Sequence, residues 1–273
     1  MDVNGSVIVL TGAGSGIGAE LGRRFAAAGA ARLVLTDLDG AAVQAVAEQI
    51  GPVARAERLD VTDEAAVAGC VRRVLDEEGR IDLFCSNAGV ATGDGLDADE
   101  QVWQRAWQVH VLAHVYAARA VLPAMTAAGG GYLLNTASAA GLLSGPGDAP
   151  YTVSKHAAVA LAEWIAYSYA EHNIRVSVLC PMGVDTPLLR DGLRAGALGA
   201  RAVAASGEVL SVGQVADAVL AGLAEESFLI LPHPQVGKFW AGKAADIDRW
   251  LAGVAELVKR ADPGPDGQAA ETS

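Results

Sequence analysis

The run Val7-Ile8-Val9-Leu10, followed at once by Thr11-Gly12-Ala13-Gly14-Ser15-Gly16-Ile17-Gly18, constrains this chain more than any other feature. Four apolar residues bounded by turn formers read as a buried strand of a parallel sheet. From Ile17 to Ala28, the apolar residues Ile17, Leu21, Phe25 and Ala28 recur at helical spacing. The unit is therefore strand, glycine turn, helix. Glycines allow a tight turn and a close backbone approach to a pyrophosphate, which rests on the positive end of the helix dipole. The same stretch fits the GxGxxA pattern in the register Gly14, Gly16, Ala19.

A second unit begins at Arg32-Leu33-Val34-Leu35-Thr36-Asp37. Asp37 closes the second strand about 20 residues past the glycine turn, where an acidic group meets the adenosine ribose of a dinucleotide. A carboxylate accepts from both ribose hydroxyls and repels a 2′-phosphate. The turn carries Ala13, Gly14 and Ser15 and no Lys or Arg, so NAD is favoured over NADP. Asp37 also reads as a strand-end turn former beside Asp39-Gly40.

The third signal is Pro150-Tyr151-Thr152-Val153-Ser154-Lys155, with Ser138 upstream in Asn135-Thr136-Ala137-Ser138-Ala139. Tyrosine and lysine four apart share a helix face. A nearby ammonium favours phenolate and is expected to pull the tyrosine pKa down, making the phenol a proton donor or acceptor near neutrality. The serine can hold a substrate oxygen by hydrogen bond. No metal spacing is present.

From about Val7 to Leu231 these residues resemble the short-chain dehydrogenase/reductase family in its shorter-chain form. The resemblance implies a cofactor turn at Gly12, Ser15, Gly16, Ile17 and Gly18, with Asp37 and Leu38 following the second strand. It implies adenine contacts at Asp60 and Val61, and a sheet-steadying element at Asn87, Ala88 and Gly89, preceded by Ser86 where the family has asparagine. Pro181, Gly183, Val184 and Thr186 fall in the turn beneath the nicotinamide. Ser138, Tyr151 and Lys155 fall on the catalytic positions, Lys155 also binding nicotinamide ribose hydroxyls. Two departures stand out. His110 occupies the place of an asparagine that serves a proton relay, and reads either as a relay group or as a buried, hydrogen-bonded histidine. Met182 stands where glycine is usual, and would narrow the nicotinamide pocket or line the substrate site.

With 273 residues, 52% of them hydrophobic, the chain can bury a full core. Added to the two strands above, the candidates 53–59, 81–86, 131–136, 174–180 and 228–231 alternate with helices. The expectation is a single α/β domain over 1–260, a Rossmann-type doubly wound parallel sheet of about seven strands. A substrate lid is expected at 188–210 and a disordered tail at 261–273. A net charge of −12 without a basic face argues against nucleic acid. Cys70, Cys85 and Cys180, odd in number and scattered, read as thiols of a reducing compartment. With neither a leader nor a membrane-length apolar run, the expected location is cytoplasmic, with no membrane partner.

The resulting expectation is an NAD(H)-dependent oxidoreductase interconverting an apolar secondary alcohol and its ketone. Ser138, Ala140, Leu142, Leu143, Tyr151, Met182 and Leu188 are the candidate substrate contacts. Arg190, Arg194 and Arg201 could clamp an anion but read as a solvated helix face. Trp240 and Trp250 could close the pocket or an interface, and also read as packing. The helices around 109–125 and 157–170 are apolar on most faces, which points to a homotetramer or homodimer; the other reading is that the C-terminal segment covers them. An NADP-dependent carbonyl reductase is the near alternative. A non-catalytic nucleotide-binding regulator would keep the glycine turn and Asp37 but has no need of Ser138, Tyr151 and Lys155. A methyltransferase has no use for the Tyr-Lys pair.

Overall fold

A computed structural model describes residues 1–261. The chain runs β1 (Val7–Thr11), α1 (Gly16–Ala27), β2 (Arg32–Asp37), α2 (Gly40–Ile50), β3 (Ala54–Arg58), α3 (Glu64–Glu78) and β4 (Leu83–Ser86). It continues through α4 (Glu100–Trp107), α5 (Ala113–Ala127), β5 (Gly131–Thr136), α6 (Ala140–Leu143), α7 (Ala149–Ser168) and β6 (Ile174–Leu179). It ends with α8 (Pro187–Arg194), α9 (Leu198–Ala205), α10 (Val212–Ala224), β7 (Leu229–Ile230), α11 (Gln235–Ala245) and α12 (Ile247–Ala261). Of the tail expected at 261–273, Ala261 closes α12 and the rest lies outside the described residues.

The seven strands form one parallel sheet in the order β3-β2-β1-β4-β5-β6-β7. This is the doubly wound Rossmann-type arrangement. Side chains alternate across it, as a period of two requires. Val7, Val9 and Phe84 pack with α3, α5 and α7, whereas Ile8, Leu10 and Leu83 pack with α1, α2 and α10. Both faces are covered, which explains strands that are apolar throughout. The chain order reverses between β1 and β4, and a ligand crevice is expected at the carboxyl ends of these strands.

Asn87 ties that crevice together. Its side-chain amide donates to the carbonyls of Thr11 (3.1 Å) and Gly12 (3.2 Å), and its side-chain oxygen accepts from Thr136 Oγ1 (3.1 Å). One side chain thus fixes the ends of β1, β4 and β5. Gly12 and Gly18 meet beneath it. A Cβ on Gly18 would lie 2.1 Å from the Gly12 carbonyl oxygen, so no other residue fits without moving the turn.

Two places depart from the sequence expectation. The helix read from residue 109 begins at Ala113, because Gln108–Leu112 form a π-helical turn that joins α4 to α5. The lid at 188–210 is not an open loop. It folds as α8 and α9 and is zipped at its base by Leu210 N–H to Gly183 O (2.9 Å) and Asp185 N–H to Leu210 O (2.8 Å).

Candidate active site

At the carboxyl edge of the sheet lies a cavity of about 1440 Å³. It is longer than one small ligand needs, since typical ligand pockets are about 300–1,000 Å³. One end is walled by Gly12, Ser15–Gly18, Asp37 and Asp60; the other reaches Ser138, Tyr151, Met182 and the C-terminal helices. All the expected cofactor positions line it except Gly183. Gly183 faces Val203 and Val209 instead, at 3.2 and 3.3 Å from its would-be Cβ. Among the expected substrate contacts, Leu142 is the exception. It packs in the core beneath α7 and presents its carbonyl to Lys243 Nζ (2.7 Å).

The glycine-turn end has the donors a dinucleotide needs. Ser15 stands at the N-cap of α1 in extended conformation with no side-chain cap bond, and the first turn carries no acidic residue. The first backbone N–H groups of α1 therefore point, uncapped, toward the cleft, which suits a pyrophosphate. Asp37 at the end of β2 accepts from Gly14 N–H at 2.9 Å and Asp39 N–H at 3.0 Å. It is half-exposed, so lone pairs remain for ribose hydroxyls. Thr186 caps α8 and places its methyl 3.3 Å from the would-be Cβ of Gly16, closing the cleft over the turn. These residues fit a nicotinamide dinucleotide.

At the far end α7 presents Tyr151 and Lys155 on one face, with Lys155 Nζ 5.5 Å from the Tyr151 ring centroid. Lys155 is buried and donates to the Thr136 carbonyl (3.0 Å). Burial pushes its ammonium down to about 8. Tyr151 departs from the sequence expectation. Burial raises the phenol above its usual value, the neighbouring Ser138 hydroxyl opposes that rise, and the Asp148 carboxylate adds to it. The ammonium lies beside the ring and is itself driven toward neutrality, so in the cavity as it stands desolvation wins.

Asp148 belongs to no catalytic motif of the sequence. Its Oδ1 accepts from Tyr151 N–H (3.0 Å) and Thr92 Oγ1 (2.5 Å), and its Oδ2 from the N–H groups of Thr92 (2.9 Å) and Gly93 (2.8 Å). The signal was present, because Asp before Ala-Pro at a helix start is an N-cap pattern. His233 belongs to no sequence motif. It is buried, accepts from Met182 N–H through Nδ1 (3.1 Å) and donates through Nε2 to Gly183 O (3.0 Å), holding the turn that carries Pro181 and Val184.

His110 is fully buried in the π turn and does not line the cavity. Val90 N–H donates to its Nε2 (3.1 Å), so Nδ1 carries the proton and donates to Ser154 Oγ (2.8 Å). Ser154 in turn donates to the Pro150 carbonyl (2.8 Å). Burial, with the Lys155 charge beside it, keeps the imidazole neutral. Its ring stands edge-on to that of Tyr151 at 5.3 Å.

The lid arginines face away from the cavity. Arg190 pairs with Asp185 (3.2 Å) and Arg194 with Asp191 (2.6 Å), and Arg201 is likewise absent from the wall. Trp250 lines the cavity, whereas Trp240 does not. Among the described residues no His/Cys/Asp/Glu group could hold a metal ion, and no helix is long and apolar enough to cross a membrane.

Comparison with known proteins agrees with this geometry. The family profile described as short chain dehydrogenase matches residues 6–195. The chain is 35% identical over 261 residues to 1-deoxy-11-beta-hydroxypentalenate dehydrogenase of Streptomyces avermitilis, covering 92% of this chain and 93% of that one. Among solved structures, a short chain dehydrogenase/reductase from Burkholderia phymatum in complex with NAD superposes with a TM-score of 0.83 at 29% identity, covering 91% of this chain and 96% of that one. A short chain dehydrogenase from Burkholderia cenocepacia in complex with NADP gives 0.79 at 25% identity, covering 94% and 99%.

Proposed function

The chain belongs to the short chain dehydrogenase family, and on that premise we propose that it interconverts an apolar secondary alcohol and its ketone with NAD(H). The observation that carries the reading is the shared cavity. Ser138, Tyr151 and Lys155 line one stretch of it, and the uncapped N-terminus of α1 and Asp37 line another.

Gly12, Ser15–Gly18, Asp37, Asp60, Val61, Asn87–Gly89, Val184 and Thr186 would hold the dinucleotide. When bound, it supplies the hydride acceptor or donor. The protein handles the proton. Tyr151 takes the hydroxyl proton of the alcohol, or returns it to the ketone oxygen. Ser138 holds that oxygen by hydrogen bond and orients the reacting carbon. Lys155, below about pH 8, places a positive charge beside the phenol and keeps donors free for ribose hydroxyls. Ala140, Leu143, Met182 and Leu188 keep water from the reacting centre. His110, with both nitrogens committed to Val90 and Ser154, holds the frame behind Tyr151.

Asp37, half-exposed on the cavity wall at the end of β2, supports NAD over NADP, since a carboxylate beside the adenosine ribose would repel a 2′-phosphate. The NADP-linked carbonyl reductase is the rival reading. Titration of intrinsic fluorescence with NADH and NADPH separates them: tighter NADPH binding, unchanged or improved in Asp37→Ala, would overturn the NAD assignment. Tyr151→Phe should remove turnover on secondary alcohols while NADH binding stays within a few-fold; retained turnover would refute the proton-transfer role.

A homo-oligomer, tetramer or dimer, fits the uncovered face of α7, where Val153, Trp164 and Tyr167 are exposed. The C-terminal helices pack on α6 and α9 rather than on this face. A charge placed at Leu161, half-buried on the same helix, should shift the sedimentation coefficient downward. Three free, buried cysteines fit a reducing, cytoplasmic setting.

A further inference from the structure

The last two helices build a wall of the cavity beyond the reacting groups. Lys243 Nζ of α11 donates to Leu142 O (2.7 Å), and Trp250 Nε1 of α12 donates to Leu143 O (3.3 Å). These bonds pin both helices to α6, which follows Ser138 directly. The wall is thus fixed in place relative to Tyr151.

Its chemistry is two-sided. Trp250, Val254 and Leu257 recur at helical spacing along α12 and line the cavity, and Phe239 of α11 lies 6.3 Å from Trp250 between ring centroids. No residue of α12 is buried. An amphipathic helix normally hides its apolar stripe in the core; this one packs on α9 and α11, with Trp250 against the core, and leaves the half-buried remainder of Trp250, Val254 and Leu257 facing the cavity, which favours an apolar occupant. Beside that stripe stands Arg249, solvent-exposed at the edge of the cavity. Among the described residues its side chain makes no hydrogen bond or ion pair; only its backbone N–H is engaged, by Asp246 Oδ1 (3.0 Å). Arg260, about 16 Å further along the helix at 1.5 Å per residue, donates through Nε to Glu256 O (3.3 Å).

We propose that this wall selects a rigid, largely apolar substrate that carries one carboxylate remote from its reacting carbon. The apolar body packs on Trp250, Val254 and Phe239, and the carboxylate is taken by the guanidinium of Arg249, whose planar fork matches it. A monoanion is specified because Asp246, which also lines the cavity beside Arg249, would repel further negative charge; Asp191 is already paired with Arg194 (2.6 Å). The inference rests on the nicotinamide-dependent reading above.

The test uses the full chain saturated with NADH and a matched pair of probes, cholate and its methyl ester, measured calorimetrically below the micelle concentration. Loss of a charge-assisted hydrogen bond corresponds to roughly tenfold or more in affinity. The acid should therefore bind about tenfold or more tighter than the ester. Arg249→Gln should collapse that gap by weakening the acid alone, and Trp250→Ala should weaken both probes alike. Equal binding of acid and ester, a gap that survives Arg249→Gln, or binding of neither probe would overturn the proposal. NADH titration of the same samples reads the underlying assignment separately: failure there sinks the nicotinamide reading, whereas normal NADH binding with equal probes sinks only the carboxylate.

Discussion

Asp148 and Tyr151 are joined by a hydrogen bond of 3.0 Å from the tyrosine's own backbone N–H to the aspartate's Oδ1. The same carboxylate holds Thr92 and Gly93 of the loop beyond β4. It therefore sets the position of the helix that carries the Tyr151 phenol against the opposite cavity wall.

Removing it should separate capping from positioning. Asp148→Ala should cost about 1 kcal/mol of stability through the lost cap and lower kcat about tenfold or more. Asp148→Ser, which can still cap, should melt close to wild type while kcat stays low, because Thr92 and Gly93 lose their anchor. Asp148→Asn should move the tyrosine-dependent limb of the pH–rate profile to lower pH, since the carboxylate helps to raise the Tyr151 pKa. Unaltered kcat in all three would remove Asp148 from the mechanism.

His110 should be a neutral Nδ1–H tautomer across the working pH range, its two nitrogens committed to Val90 N–H and Ser154 Oγ. Nitrogen-resolved NMR should find one protonated and one unprotonated ring nitrogen, unchanged as pH falls through the ordinary histidine range near 6.5. His110→Ala should destabilise the fold by about 1–3 kcal/mol with the shape of the pH–rate profile intact. A titrating imidazole, or a lost pH limb restored by His110→Asn, would instead mark a proton relay.

His114 makes the protein acid-sensitive. It is buried in α5, neither ring nitrogen has a hydrogen-bond partner among the described residues, and burial pushes its pKa from 6.5 down to about 3. The unfolded chain takes up a proton below about pH 6.5 and the folded one only near pH 3. Stability from this group is therefore lost as pH falls through that window, by about 2 kcal/mol at pH 5. Denaturant midpoints of His114→Leu should fall less steeply than wild type between pH 6.5 and 4; parallel curves would refute the assignment.

Gly18→Ala should fail to form the glycine turn. The added methyl meets Gly12 O at 2.1 Å and Asn87 Nδ2 at 2.6 Å, and relief means shifting α1 or breaking the Asn87 bridge. A loss of about 3 kcal/mol is expected, with NADH binding abolished. A fluorescence titration that matches wild type would show that the turn tolerates the change.

Much of this is legible in the sequence alone. Gly131–Thr136 and Arg32–Asp37 have the boundaries their apolar runs imply, and the glycine turn, Asp37, Ser138, Tyr151 and Lys155 share one cavity. The fourth strand runs from Leu83 rather than from 81, and Asp82 before it already bonds both neighbours, its N–H donating to Val7 O (2.9 Å) and its carbonyl accepting from Tyr132 N–H (3.0 Å). The π turn is hard to read because its extra residue shifts the apolar phase only once, in a stretch that is apolar on most faces and so has little phase to lose. His233, Lys243 and Arg249 reach the site from segments distant in sequence. Their roles depend on which carbonyl or cavity the fold sets before them, and no local motif carries that. Leu142 shows the reverse case, a well-placed motif neighbour whose side chain turns into the core.

The bridge made by Asn87 also bears on how the chain matures during synthesis. The glycine turn is complete within the first 18 residues, yet the amide that locks its carbonyls arrives about 70 residues later, and the Thr136 hydroxyl later still. Synthesis proceeds at roughly 5–20 residues per second, so a nascent chain spends several seconds with β1 lacking its partner β4. During that interval the exposed edge of the apolar strand Val7–Thr11 is open to wrong partners, including other emerging copies. The turn therefore reaches its locked form only once residues from the second half of the sheet are in place.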